Sequence, residues 1–388
     1  MAVASLSALA VCSAALAGGP AGLAPASARS WRRTASQTVN YELAHASDGA
    51  VGAPVLLLPG FGAGAFHWRR NLKQLAHGSG SDVFAMDYLG QGGSWPEGAG
   101  AGGDSGLGYS IDVWIEQAEE FAREVVLKEG RGHHSRCHVV GNSVGGLIGA
   151  HLAVRYPELV ESLVLVNPTP VWGSNLPGWD GVLPGPRLAM QTGAFLFDKI
   201  RDRSNIVRML GETYATPETV GDLPDLIRRV TDENAGGHEA FASILWSAPA
   251  TMPEGASSFE DVLRQVRADV LCVYGAQDPW CKPAFGRAAF RALSSRGSAA
   301  RQALIELSPA GHCPHHEAPG PFNSLAVNWV RQFARESDVD AAPTEPLKPE
   351  ELLAGCDGHE PVVAGAPPVS ARWINADDND ISLWDRLL

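Results

Sequence analysis

Short apolar runs alternate along this chain with stretches of helical periodicity. That alternation restricts the fold more than any other feature. Residues 54–58, 82–86, 137–140, 160–166, 270–274 and 303–307 read as strands. Most are apolar at successive positions rather than at every second one, so they are strands covered on both faces. Between them, residues 109–128 place Ile111, Trp114, Ile115, Ala118, Phe121 and Val125 at helical spacing. Residues 147–156, 285–293 and 322–336 follow the same rule. Strands alternating with helices predict an α/β fold: a mostly parallel sheet with helices on both faces.

The rhythm breaks between 168 and 258. This block holds Trp172, Trp179, Phe195 and Phe197, with helices predicted near 198–211, 217–233 and 238–246. It reads as a helical cap inserted into a core formed by 36–167 and 259–336. Residues 1–35 contain three arginines, no acid and an apolar run at 3–17. They read as a transit peptide or a signal-plus-transit peptide. Residues 336–388 carry twelve acidic residues against three basic ones, and residues 337–388 are set apart by them. They read as an acidic, largely disordered tail.

The net charge of −13 lacks the basic footprint of a nucleic-acid binder, so no nucleic acid is expected. The six cysteines form no CxxC pair, which argues against a zinc site and suits a reducing compartment. Outside the leader no stretch of 18 apolar residues occurs, so the mature protein is expected to be soluble or peripheral.

Gly141-Asn142-Ser143-Val144-Gly145 matches G-x-S-x-G, the nucleophile elbow. It follows a predicted strand and opens a predicted helix, as the chemistry requires. A serine there meets the helix N-terminus, where backbone N–H groups favour developing negative charge. The partners follow in the order acid, then histidine. Asp278 lies after the strand 270–274, and His312 after the strand 303–307. Ser143 would be the nucleophile, His312 its base, and Asp278 the group that orients the imidazole. His315 and His316 are the competing bases; His312 is preferred because it follows Gly311 directly after the strand. In the cluster 312–317, Pro314 and the spacing do not put ligands on one helix face, so no metal is expected.

The oxyanion donors should be the backbone N–H groups of Val144, after the serine, and Phe61, in the Gly-rich turn after the first core strand. That turn lacks the P-loop Lys-Ser/Thr, and no dinucleotide fingerprint is present, so no cofactor is expected. Trp95 and Trp280, in loops near the site, and Trp172 in the cap are candidate substrate contacts. Such aromatics suit a small but bulky hydrophobic ester.

Several longer stretches resemble the α/β-hydrolase superfamily and, more closely, the pheophytinases of plant and algal chloroplasts. They include Pro59-Gly60-Phe61-Gly62, Asp87-Tyr88-Leu89-Gly90-Gln91-Gly92 and Tyr109-Ser110-Ile111-Asp112-Val113-Trp114. The elbow, Asn167-Pro168-Thr169-Pro170-Val171-Trp172-Gly173, Asp278-Pro279-Trp280 and Ser308-Pro309-Ala310-Gly311-His312-Cys313-Pro314-His315 continue the similarity across about 40–335. The resemblance implies an α/β-hydrolase fold and hydrolysis of the phytyl ester of pheophytin in the chloroplast. A peripheral contact with the thylakoid membrane is expected with it. The alternatives are a lipase, esterase or thioesterase of the same fold, or a non-catalytic ligand receptor built on it.

Overall fold

The computed structural model describes residues 26–47, 52–95, 108–173, 179, 181–232, 236–334 and 346–375. Among these residues nine strands form one sheet: β1 Ser27–Arg32, β2 Thr38–Ala44, β3 Gly52–Leu58, β4 Ser81–Met86, β5 Cys137–Asn142, β6 Val160–Val166, β7 Asp269–Gly275, β8 Gln302–Ser308 and β9 Ser370–Trp373. Their order is β1-β2-β4-β3-β5-β6-β7-β8-β9. The six strands from β4 to β8 in that order are parallel. β2 runs antiparallel to β4, β1 to β2, and β9 to β8.

Both faces of this sheet are buried, as the unbroken apolar runs require. Along β3, Leu56 and Leu58 join one core cluster while Val55 and Leu57 join the other. Helix α1 (Leu72–Ser79) covers the second face. Helices α2 (Ile111–Phe121) and α3 (Val144–Arg155) cover the first. α2 continues through a π-type turn at Ala122–Val126.

Among the described residues, four α-helices lie between β6 and the next core helix: α4 (Arg187–Ile200), α5 (Arg203–Thr213), α6 (Leu223–Asp232) and α7 (Gly237–Trp246). The predicted single helix over 198–211 is two. Asp202 breaks it, because its carboxylate caps α5 by accepting from Ser204 N at 3.0 Å. The core resumes with α8 (Phe259–Gln265) and α9 (Pro283–Ser294), then α10 (Pro314–Glu317) and α11 (Pro319–Ala334).

Two boundaries move. Residues 27–32, read as part of the leader 1–35, form β1. Their sequence has no apolar alternation, so nothing local announced a strand. They are held by pairing with β2 and by partners on the far end of α2. Arg33 donates to both carboxylate oxygens of Glu120 at 2.6 and 3.0 Å, and Trp31 Nε1 to Glu124 at 3.1 Å. Arg29 reaches Glu129 at 2.7 Å. The tail 337–388 was expected to be largely disordered. Within it, α12 (Pro349–Leu352) and β9 are ordered, and Leu352, Cys356 and Ile374 are buried. The existing edge of β8 supplies the hydrogen-bond partners that this polar segment could not signal. Residues 1–25, 335–345 and 376–388 lie outside the described residues.

Candidate active site

The C-terminal ends of five neighbouring parallel strands converge here, where open α/β sheets bind ligands. β5 ends at Asn142 and α3 begins at Val144, so Ser143 turns the chain by itself. Its φ is 56° and ψ −118°, a conformation that costs a non-glycine residue about 1–3 kcal/mol. The flanking glycines permit the turn. A Cβ at Gly141 would strike the Gly145 carbonyl, and one at Gly145 the Leu58 carbonyl. Ser143 N donates to Val166 O at 3.0 Å, and Ser143 O accepts from Gly146 N at 2.9 Å. The strained residue is held from both sides.

After β7, Asp278 is buried, and its carboxylate is saturated with donors. Oδ1 accepts from Trp280 N at 2.8 Å and Cys281 N at 3.0 Å. Oδ2 accepts from His312 Nδ1 at 2.7 Å and from the Asn167 side-chain amide at 2.6 Å. With Asp278 accepting, His312 Nδ1 carries the proton and Nε2 is left as a base. His312 is anchored by its own backbone, its N–H donating to Thr213 O at 2.8 Å at the end of α5. Asn142 Nδ2 donates to His312 O at 3.1 Å, which ties the residue before Ser143 to the histidine loop. Glu317 braces that loop, accepting from Gly311 N at 2.7 Å.

The turn after β3 passes against Ser143: a Cβ at Gly60 would sit 3.3 Å from Ser143 Cβ. Phe61 and Val144 are thereby neighbours of Ser143 along two different segments. Gly62 N donates to Gln91 Oε1. Asp87 accepts from Ala65 N at 2.6 Å and Gly93 N at 2.7 Å, linking the two loops. Burial pushes the Asp87 carboxyl up to about 7, although these amides pull it down.

His315 and His316 are not beside Asp278. Both are buried in a separate group with His67 and Tyr214. Tyr214 OH lies 3.1 Å from His316 Nδ1 and 3.3 Å from His67 Nε2. Desolvation holds both well below the usual imidazole range and lowers His67 to about 3, so all three are neutral. The one group of described residues with metal-ligand spacing is Asp278, Cys281 and His312. Its carboxylate is already filled by four donors, and burial raises the Cys281 thiol, which disfavours the thiolate a metal needs. That donor set fits a hydrogen-bonded acid and histidine better than a metal centre.

Between the core and the cap helices lies a cleft of about 650 Å³ of empty space, part of it open to solvent. Phe61, Leu89, Trp95, Trp114, Phe197 and Phe241 are among its walls. Trp95 Nε1 donates to Gly92 O at 2.9 Å, which fixes its ring. Trp172 packs on Phe61 with ring centroids 4.6 Å apart. Trp280 is 52% exposed and meets the His312 ring edge at 5.2 Å. Of the three tryptophans expected at the substrate, only Trp95 lines the cavity.

Asn167 and Gln91 were not singled out from the sequence. Asn167 has φ 42° and precedes a proline. An Asn that ends a strand, where αL is tolerated, is the signal that could have found it. Gln91 carries no such signal, because its partner is 29 residues away.

The sequence profile described as the Alpha/beta hydrolase family matches residues 55–325. The chain is 30% identical over 337 residues to "Pheophytinase, chloroplastic" of Arabidopsis thaliana, covering 76% of this chain and 64% of that one. It thus spans slightly under two thirds of that relative's length. It is 27% identical over 301 residues to the 2-hydroxymuconate semialdehyde hydrolase of Pseudomonas sp. strain CF600, covering 76% and 91%. Among solved structures, a thermophilic esterase from Thermogutta terrifontis superposes with a TM-score of 0.53 at 17% identity, over 80% of this chain and 98% of that one.

Proposed function

Because the chain belongs to the alpha/beta hydrolase family, we propose that this hydrolase is a serine carboxylic-ester hydrolase acting on a bulky hydrophobic ester. The substrate we propose is pheophytin, from which phytol is removed. The observation that supports the chemistry most is the His312–Asp278 hydrogen bond, on a loop that Asn142 ties to the strand end preceding the serine at φ 56°.

In this mechanism Ser143 Oγ attacks the ester carbonyl carbon while His312 Nε2 takes its proton. The carbonyl π electrons move to oxygen, and the N–H groups of Phe61 and Val144 receive that oxyanion. The C–O bond to the alcohol then breaks, and the imidazolium returns the proton to the departing alkoxide. Water repeats the sequence on the acyl-enzyme, releasing the acid and restoring Ser143. Asp278 keeps the imidazole in one tautomer and stabilises its charged form.

The apolar cavity supports a substrate with a long hydrocarbon part, since each buried CH₂ contributes about 0.8 kcal/mol. Similarity to pheophytinase supports the phytyl ester and a chloroplast location. Leu188 and Phe195, seven residues apart on α4 and 77% and 61% exposed, support a peripheral membrane contact of the cap. The contacts of Trp172 with Phe61 and of Trp280 with His312 support a role for both rings against the rest of the substrate.

Pheophytin, chlorophyll and a triglyceride should be incubated side by side with the purified protein. Release of pheophorbide from pheophytin is expected. Turnover of the triglyceride alone would replace this reading with a lipase. Inertness toward all three and toward a p-nitrophenyl ester would leave a ligand-binding receptor.

A further inference from the structure

Glu317 is a buried carboxylate whose two oxygens serve different parts of the molecule. Oε2 accepts from Gly311 N at 2.7 Å, in the loop after β8 that carries His312. Oε1 accepts from Thr216 N at 2.5 Å, in the chain that leaves the cap helix α5. The same two segments meet again beside it. His312 N donates to Thr213 O at 2.8 Å, and a Cβ at Gly311 would strike that carbonyl. Arg70 Nη1 adds a further tie, donating to His316 O at 2.6 Å and to Thr219 O at 2.8 Å. Two turns before Thr213, about 10 Å along the axis of α5, Ile206 forms part of the wall of the cleft under the cap. One helix therefore touches both the apolar cleft and the backbone of the candidate base.

An amide that donates to a carboxylate makes a charge-assisted bond, roughly twice as strong as a neutral one. A carboxylate can accept from both segments at once. A side-chain amide of the same shape has one oxygen and turns its NH₂ group toward the other N–H. Placement is decisive for a base, because a shift of about 1 Å can cost about a hundredfold in rate. We infer that Glu317 is a positioning residue for His312, and that it makes the placement of the base depend on the seating of the cap. Both oxygens are spent on backbone amides, so Glu317 acts through Gly311 and Thr213 and not on the reacting atoms. The inference rests on the ester-hydrolase reading for its kinetic meaning. Residues 213–219 then belong to the support of the active site as well as to its cover.

The test compares Glu317→Gln with Asn328→Leu. Asn328 Nδ2 donates to Leu352 O at 3.0 Å and Ala354 O at 2.8 Å, so its loss cuts two ties between α11 and the tail instead of those between the histidine loop and the cap. With a short p-nitrophenyl ester, Glu317→Gln should lower kcat about tenfold and leave KM within about twofold, and Asn328→Leu should change neither. Hydrogen exchange is read at the His312 amide, which is bonded to Thr213 and not to Glu317. It should quicken about tenfold in Glu317→Gln and keep its wild-type rate in Asn328→Leu. If Glu317→Gln does not fold, Arg70→Met, which cuts the neighbouring tie, is read in the same two ways. Unchanged exchange at His312, equal effects in both variants, or a rise in KM with kcat intact would overturn the proposal. Absence of turnover by the wild-type protein would sink the hydrolase reading, while the exchange rates still decide whether Glu317 holds His312.

Discussion

Asn167 donates its side-chain amide to Asp278 Oδ2 at 2.6 Å, the same oxygen that faces His312 Nδ1. Its own carbonyl oxygen accepts from Gly275 N at 2.9 Å, so the amide cannot rotate without losing both bonds. Asn167 thus sets the position of the acid that sets the position of the histidine. Asn167→Leu should lower kcat by about tenfold to a hundredfold, on the order of 1–3 kcal/mol for a lost hydrogen bond to a charged group. KM for a short ester should change little. An equal rise in KM with kcat intact would assign Asn167 to substrate binding instead.

Ser143→Ala should abolish ester turnover in a folded protein, and a fluorophosphonate should label Ser143 alone. His312→Ala should cost as much, because the two act as one unit. His315→Gln and His316→Gln should lower thermal stability, since both rings are buried, with a smaller loss of kcat. A variant at 315 or 316 as inactive as His312→Ala, with its melting temperature unchanged, would move the base.

Acid should unfold this protein. Desolvation lowers His67 and His138 to about 3 and His151 to about 4, and holds His315 and His316 well below the usual range. Below pH 6.5 the unfolded chain binds protons at these sites that the folded chain does not, so stability falls as pH falls. Three desolvated carboxyls oppose this. Asp87, raised to about 7, and Glu42 and Glu317, also raised, bind protons more readily when folded. Five such histidines stand against three carboxyls, so the net effect is a loss of stability as pH falls below 6.5. Denaturant midpoints at pH 7, 6 and 5 should drop steeply, and His67→Gln should flatten the slope. A midpoint independent of pH in this range would contradict the account.

A protein begun at Ala26 should match the full chain in melting temperature, whereas one begun at Thr34 should melt several degrees lower. The shorter form loses β1, the Arg33–Glu120 pair and the Trp31 ring that meets Phe121 at 5.6 Å. The exposed ion pairs contribute little by themselves, so most of the effect should come from Trp31 and the uncovered edge of β2. Equal melting temperatures would return residues 26–33 to the leader.

The core strands, the helices between them and the order of Ser143, Asp278 and His312 could be read from the sequence alone. Each rests on information within a few residues: an unbroken apolar run, a 3.6-residue period, a glycine on either side of a serine. Tertiary structure decided what depends on distant partners. β1 and β9 are strands because β2 and β8 offer them an edge, not because SARSWR or SARW is strand-like. His312 and His315 are three residues apart and chemically alike, yet one faces Asp278 and the other is buried against Trp68, 4.1 Å between ring centroids. Asn167 acquires its partner 111 residues away, and Gln91 its own 29 residues away. Hydrogen bonds are short-ranged and directional, so which of several polar side chains meets a given carboxylate or amide is settled only when the strand ends are brought together.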